Sequence, residues 1–370
     1  MSKPSNQLAP AKHLSPSVLL LGFLTLIAVG FVLKVAQSVV VPLLIAWLIS
    51  HLLGGPVNFL VRRLRFPAPL AVASVVLLLL LISWGAGIVI QQRLLAFARS
   101  YPEYQVRLSE ILDHYGHEFN LPAFAIKEPN WPAQLAPLVV RTSKFFITFI
   151  TNVILVLIFL VFMLLAKPYS HDKLRAAFPV RADHFIMLTN TISRQIGTYL
   201  GALFVISLAT GLLVWGALVL MNVEFAFTWG LLAFVLNFIP SLGSIMATIP
   251  PVLMALIDHV PNFWPAIGVA LVLTAIQMTL GNFIAPKIYG DRLNLSPVVI
   301  LLFLLFWGWL WGIIGMILAV PFAAAIQITL AHIPHFAPLA VMMGSGKRYA
   351  TQTPPAPAEP DGEPAPEENL

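Results

Sequence analysis

The side chains in this chain that could handle a small polar molecule carry no charge, and they gather in two places. Asn237, Ser241, Ser244 and Thr248 fall in one stretch, and Gln277, Thr279 and Asn282 in another. Amides and hydroxyls donate and accept hydrogen bonds without ionising, which suits an uncharged, polyhydroxylated solute. Residues that open a helix stand among them: Pro240, Gly243, Pro250 and Pro251, then Pro286, then Gly308, Gly312, Gly315 and Pro321. Proline removes a backbone donor and glycine relaxes the helix, so half-helix ends there can bind a solute directly. The competing role for such polar side chains is helix–helix hydrogen bonding. For Asn237, three residues before Pro240, contact with solute is the expectation. The expected solute-binding set is Asn237, Pro240, Ser241, Gly243, Ser244, Gln277, Asn282, Gly312 and Gly315, with Pro250, Pro251, Pro286 and Pro321 as hinges or breaks.

Other chemistries lack their residues. Cysteine is absent, which removes disulfides, thiol catalysis and cysteine-ligated metals. His114 and His117 lie three apart with no third ligand evident, so no metal site is expected. Gly344-Ser-Gly-Lys347 lacks the spacing and the strand of a phosphate loop. Neither a nucleophile elbow nor a zinc-protease helix occurs, and the chain is expected to be no enzyme and to need no cofactor. Glu224, Asp258 and Asp291 sit near the ends of apolar runs, where solvation is cheap. Asp291, beside Arg292, and Asp258 are the candidates for ion coupling, but the run centres hold no carboxylate, which weakens an antiport reading.

The elements that must position these residues are membrane helices. The chain is 59% hydrophobic and 10% charged, against roughly 25% charged in a soluble protein. Runs long enough to span occur at about 17–36, 39–60, 68–90, 145–166, 196–221 and 262–285. Two more, about 226–257 and 298–332, would reach roughly 48–52 Å as straight helices, against a hydrocarbon core of about 30 Å. The helix openers fall inside these two, so both are expected to fold back as re-entrant hairpins. Unwound backbone at membrane depth survives only when buried in protein or facing a wet cavity.

The basic residues suggest an orientation. Lys3 and Lys12 precede the first run; Arg62, Arg63 and Arg65 follow the second; Lys167, Lys173, Arg175, Arg181 and Arg194 follow the fourth. Lys287, Arg292, Lys347 and Arg348 come later. Placing all of them in the cytoplasm makes the spans alternate if both long runs return to their own side. The net charge of +6 is thus read as an orientation signal rather than a nucleic-acid footprint. Met1 to Ser17 is polar and mildly basic without a small-residue cleavage motif, so the first run is expected to stay as a span.

The resulting plan is all-α and polytopic: about six full spans plus two broken hairpins in an inverted repeat. Residues 1–16 form a cytoplasmic tail and 17–92 three spans. Residues 93–142 form an extracytoplasmic amphipathic helix and loop, marked by Leu94, Phe97, Tyr101, Leu108, Ile111 and then Pro122, Pro129, Pro132 and Pro137. Residues 143–195 hold the fourth span and a cytoplasmic linker, 196–335 the transport core, and 336–370 a disordered acidic tail. Within the core, Gly243-Ser-Ile-Met-Ala-Thr-Ile-Pro250 parallels Gly315-Met-Ile-Leu-Ala-Val-Pro321, each after one ordinary span. Matching interrupted helices in an inverted repeat point to a transport site. Gly197 and Gly201 are expected to allow close packing, and Gly308 with Gly312 to open the backbone. Trp307, Trp309 and Trp311 are expected as interface anchors, with stacking on a solute as the alternative.

Three motifs in order resemble the autoinducer-2 exporter family of bacterial membrane proteins. They are Phe225 through Asn237-Phe-Ile-Pro240-Ser-Leu-Gly243-Ser244 to Pro251, Gly281-Asn282 through Pro286 to Gly290 with Leu295-Ser-Pro297, and Phe306-Trp-Gly308 through Gly312 and Gly315 to Pro321. Pro56 with Arg62 and Arg63 is similar to the family's signal after its second span. The resemblance covers about 18–335 and is strongest after 195. It implies a multi-pass protein of the bacterial inner membrane that exports a small, sugar-like quorum-sensing signal. It also leaves open a sodium/proton antiporter, since family members of that kind exist, and a non-transporting membrane scaffold is the third possibility. Membrane lipid and a small polar solute are the expected partners, with a homo-oligomer and no nucleic acid.

Overall fold

A computed structural model describes residues 16–118, 131–240, 242–259, 262–289 and 294–346. Every regular element among them is helical. Six of these helices are long and apolar enough to cross a membrane: Gln37–Arg63, Ala68–Val89, Ile150–Ala177, Ala182–Leu220, Trp264–Ile284 and Pro297–Ala331. The protein is an all-α, multi-pass membrane protein.

Helices α1 (Pro16–Val35) and α2 (Gln37–Arg63) are joined through one residue, Ala36. Its N–H bonds Val32 O at 2.8 Å and its carbonyl accepts Val40 N–H at 3.0 Å, so helical pairing carries through the joint. Helix α3 runs Ala68–Glu118 as one 51-residue rod, about 77 Å long. The separate amphipathic helix expected from residue 93 is therefore the continuation of the third span. Helix α4 starts at Trp131 and ends at Ala166, so Pro132 and Pro137 lie in helix rather than loop. Pro132 sits in the first turn, where a missing N–H costs little, and Pro137 in the second. The buried residues Ala46, Val72, Leu157, Leu160 and Leu164 join α2, α3 and α4 in one cluster.

A short 3₁₀ turn (Lys167–Tyr169) and α5 (Ser170–Ala177) lead to α6 (Ala182–Leu220), a 39-residue helix with the largest buried face of the candidate spans. Helix α7 (Ala226–Leu236) seats on it backbone to backbone. A Cβ at Gly211 would lie 2.9 Å from Gly230 O, and one at Gly230 would lie 2.8 Å from Gly211 O. The predicted close packing at Gly197 is also present, against His51 O at 3.3 Å, whereas Gly201 faces open space.

The first long run folds back. After α7 the backbone leaves the helix at residues 237–240, and α8 (Leu242–Asp258) returns against it. Gly243 N–H bonds Ile239 O at 3.0 Å, and any Cβ at Gly243 would overlap the Leu236 carbonyl. Helix α8 passes through Pro250 and Pro251 without a break, so these prolines do not divide it.

The second long run, α11 (Pro297–Ala331), also reverses. Gly312 has φ 65° and ψ −143°, a conformation that L side chains rarely adopt. The Trp307 and Phe322 rings lie 4.7 Å apart, centroid to centroid. In a straight helix fifteen residues would separate them by roughly 22 Å. Gly315 sits so close to Trp307 O that a Cβ would overlap it, the same relation Gly243 has to Leu236. The two glycines aligned in the sequence repeat therefore do the same job. Pro321 lies inside the returning limb, fully buried, rather than at the break.

Between the hairpins run α9 (Trp264–Met278), a π-helical segment (Thr279–Ile284) and α10 (Ala285–Tyr289). Leu304 and Ala319 of α11 pack in one cluster with Ala233, Leu236, Ala247 and Met254, so the two hairpins share a core. After α11, a 3₁₀ turn (Pro334–Phe336) and α12 (Ala337–Met343) fold back on the body. The tail expected from residue 336 is thus ordered helix to Met343, held where Ser296 N–H bonds Met343 O at 2.8 Å. Residues 347–370 lie outside the described set.

Candidate translocation site

The first hairpin, α6 and the α9–π segment line a half-open cavity of about 550 Å³. Its polar wall is Asn237, Ser244, Thr248, Thr274, Gln277 and Asn282. Tyr199, Leu203 and Ile206 of α6 and Ile239 and Pro240 of the break also line it. No carboxylate, amine, guanidinium or imidazole among the described residues lines it. The volume sits inside the range of small-molecule sites, about 300–1,000 Å³.

Each wall has a local cause. Pro240 brings no N–H, so the α7 ladder cannot pass through it, and the chain turns with Ile239 N–H on Leu236 O at 2.9 Å. Leu242 N–H then bonds Pro240 O at 2.7 Å and starts the return. Asn237, at the end of α7, donates through Nδ2 to Ser207 Oγ of α6 at 3.0 Å. Ser207 is wholly buried, so this bond anchors the break to α6. Asn237 thus does both jobs weighed for it: one amide hydrogen ties helices together, while the side chain also lines the cavity. Thr248 donates to Ser244 O at 2.9 Å, a bond within α8 that fixes its hydroxyl beside the cavity.

The π segment is the other wall. Ala285 N–H bonds Leu280 O, five residues back, so the helix is widened by a residue there. Pro286 explains the position: it offers no donor to the Asn282 carbonyl, and its ring would crowd that carbonyl in a regular helix. Widening relieves the crowding and brings Gly281 and Asn282 to the cavity.

The predicted set divides. Asn237, Pro240, Ser244, Gln277 and Asn282 converge on the cavity. Gly243 is buried behind it as the close-packing point of the hairpin. Gly312 and Gly315 form the turn of the second hairpin and do not line the cavity. Thr279 is not a lining residue; Thr274, one turn earlier, is. Ser241 and Asp291 lie outside the described residues. Thr274 and Tyr199 were missed by composition alone. Spacing carries Thr274, since 274, 277, 278, 281, 282 and 285 recur every three or four residues on one helix face.

Asp258 is away from the cavity. Its Oδ2 accepts the Glu224 N–H at 3.0 Å, bracing the turn between α6 and α7. That turn holds Asn222 and Phe225 in left-handed backbone, and Trp229 Nε1–H donates to Glu224 O at 3.0 Å. The tryptophans of the second hairpin are not all at an interface. Trp311 is buried, with its ring 4.8 Å from that of Trp307, and donates to Leu33 O at 3.1 Å, while Lys34 donates to Leu310 O. Trp309 alone of the three points outward, 76% exposed. Among the described residues no group of three or more His, Asp or Glu could hold a metal ion.

Comparison with known proteins agrees with this fold. The model of the AI-2E family transporters matches residues 21–335. A putative transport protein of Borreliella burgdorferi is 32% identical over 316 residues, 85% of this chain and 87% of its own length. A putative transport protein of Haemophilus influenzae is 32% identical over 335 residues, 88% and 95% of the two chains. The AI-2 transport protein TqsA of Escherichia coli is 31% identical over 322 residues, 85% and 91%. A helical membrane fold, a polar cavity at a broken helix and a family match over most of the sequence lead to one identification: the chain belongs to the AI-2E transporter family and is a membrane transporter.

Proposed function

We propose that this transporter exports a small, uncharged polar solute of the autoinducer-2 type through the cavity between the first hairpin and the π segment. One observation carries the reading: the cavity wall offers amides and hydroxyls and no charged group among the described residues. Such a wall hydrogen-bonds a sugar-like diol while giving a cation no counter-charge. Asn237, Ser244, Gln277 and Asn282 would bind the solute, with Pro240 shaping the break. Gly243, Gly312 and Gly315 would hold the hairpins, and Pro286 would keep the widened turn of the π segment at the cavity. The chemistry is passage, not catalysis, and calls for no cofactor. Asp258 is engaged with the α6–α7 turn, which weighs against its use in sodium or proton exchange. The reading includes an inner-membrane location, both termini in the cytoplasm, a homo-oligomeric assembly in lipid and no nucleic-acid partner.

The test is tracer flux in proteoliposomes across autoinducer-2, neutral sugars, diols, sodium and protons. Autoinducer-2 or another neutral diol is expected to move, and Gln277→Leu with Asn282→Leu to cut that flux at least tenfold. Cation exchange abolished by Asp258→Asn, with no flux of any neutral solute, would overturn the reading.

A further inference from the structure

A second cavity, of about 310 Å³, lies between α6, α11 and α12. Its polar lining is Thr191 and Gln195 of α6, Asn294, and Gln327 and His332 at the end of α11. Gln327 is buried, and its amide nitrogen donates to Asn294 O at 2.6 Å and Ala340 O at 3.2 Å. That leaves its amide oxygen as the group able to serve a solute. Ala337, Ala340 and Val341 place α12 against this cavity, and Asn294 Oδ1 accepts from the Ser345 N–H and hydroxyl at 3.2 and 3.0 Å.

The two cavities share one face of one helix. Thr191 and Gln195 line the second, while Tyr199, Leu203 and Ile206 line the first. These positions recur every three or four residues, so they form one stripe along α6. Gln195 and Tyr199 are four residues, about 6 Å, apart along the axis. Tyr199 is buried and packs in the cluster that holds Ile196, Leu200 and Leu295. It therefore stands on the stripe where the first cavity stops and the second begins.

We propose that the second cavity is a second station for the same neutral solute and that Tyr199 is the barrier between the two. The inference rests on the proposed neutral-solute reading for its ligand. The barrier itself is tested without any solute. The chain contains no cysteine, so single cysteines report cleanly. Thr248→Cys probes the first cavity and Gln195→Cys the second. Each is reconstituted in oriented proteoliposomes and treated with a membrane-impermeant methanethiosulfonate reagent from one side at a time. The two cysteines are expected to react from opposite sides. Adding Tyr199→Ala is expected to let the reagent reach Gln195→Cys from the far side at least tenfold faster, while Tyr199→Phe, which keeps the ring, preserves sidedness. Reaction of both cysteines from the same side overturns the barrier, as does unchanged far-side labelling in a correctly folded Tyr199→Ala protein. If Tyr199→Ala does not fold, the sidedness of the two single cysteines decides alone. Saturating autoinducer-2 is then expected to slow labelling at both positions. Protection of Thr248→Cys without Gln195→Cys overturns the second station and spares the first-cavity reading. Protection at neither position overturns both.

Discussion

The two hairpins use the same backbone device and put it to different uses. In each, a glycine presses against a carbonyl of the preceding limb: Gly243 on Leu236 and Gly315 on Trp307. The first hairpin turns through several irregular residues around a proline, and its break carries Asn237 to a polar cavity. The second turns sharply at Gly312, and rings fill the space around its turn. Trp307, Trp311 and Phe322 pack on one another there, and α1 closes it from outside through Lys34 and Leu33. A reversed helix at membrane depth must have its freed backbone groups satisfied. The first hairpin meets it within its own turn, where the N–H groups of Asn237, Phe238, Ile239, Leu242 and Gly243 all find carbonyls. The second also draws on α1, through Lys34 on Leu310 O.

Substitutions should separate the shared device from the divided use. The largest effect is expected at the shared point. Gly243→Val and Gly315→Val each push a side chain into backbone, which cannot move aside as a flexible side chain can. Each should cost at least about 3 kcal/mol, the top of the usual overpacking range. Size-exclusion profiles and thermal midpoints in detergent are expected to show loss of the monodisperse fold in both. A well-folded Gly315→Val protein would break the equivalence of the two hairpins.

Gly312→Ala comes next. Its strain is conformational rather than steric, since a Cβ at Gly312 has open space but φ is 65°. The cost should be about 1–3 kcal/mol, read as a lower thermal midpoint in a protein that still folds. The corresponding strain is absent at Gly243, so the two hairpins should differ here.

Trp311→Phe removes the indole N–H that reaches Leu33 O while keeping a ring in the packing. A loss of about 1 kcal/mol is expected, visible in the thermal midpoint, with solute flux kept within about twofold of the parent's. A collapse of flux with unchanged stability would instead assign the second hairpin to the transport path.

Asp258→Asn should do least. The amide oxygen can still accept the Glu224 N–H, so folding and neutral-solute flux are expected to stay near those of the parent. Loss of flux without loss of stability would bring Asp258 back as a coupling group.

What the sequence made legible follows from which signals are local. Apolar length located the helices, and the excess length of 226–257 and 298–332 required the reversals that the chain makes. The repeat picked out Gly243 and Gly315 but not their role: expected at the solute, they serve instead as close-packing points against Leu236 and Trp307. Helix continuity outside the bilayer was not: residues 93–118 lack an apolar run, so nothing marked them as an extension of α3. Prolines misled in the opposite direction. Pro250, Pro251 and Pro321 lie inside helices, because the reversal had already occurred at Pro240 or Gly312 and packing held the rest. Asn237, Gln277 and Asn282 were recognisable as polar residues in apolar runs. Their meeting with Tyr199 and Thr274 depends on how α6, α8 and α9 pack, which no local pattern encodes.

The central claim is that the first break, unlike the second, works on the solute. Flux of labelled autoinducer-2 through Asn237→Ala, at matched incorporation and beside the parent protein, tests it most directly. The account predicts at least a tenfold loss of flux in a protein that still folds, with a thermal midpoint lowered by the lost Ser207 bond, which costs about 1–3 kcal/mol because Ser207 is buried. Parental flux through a folded Asn237→Ala protein would contradict it.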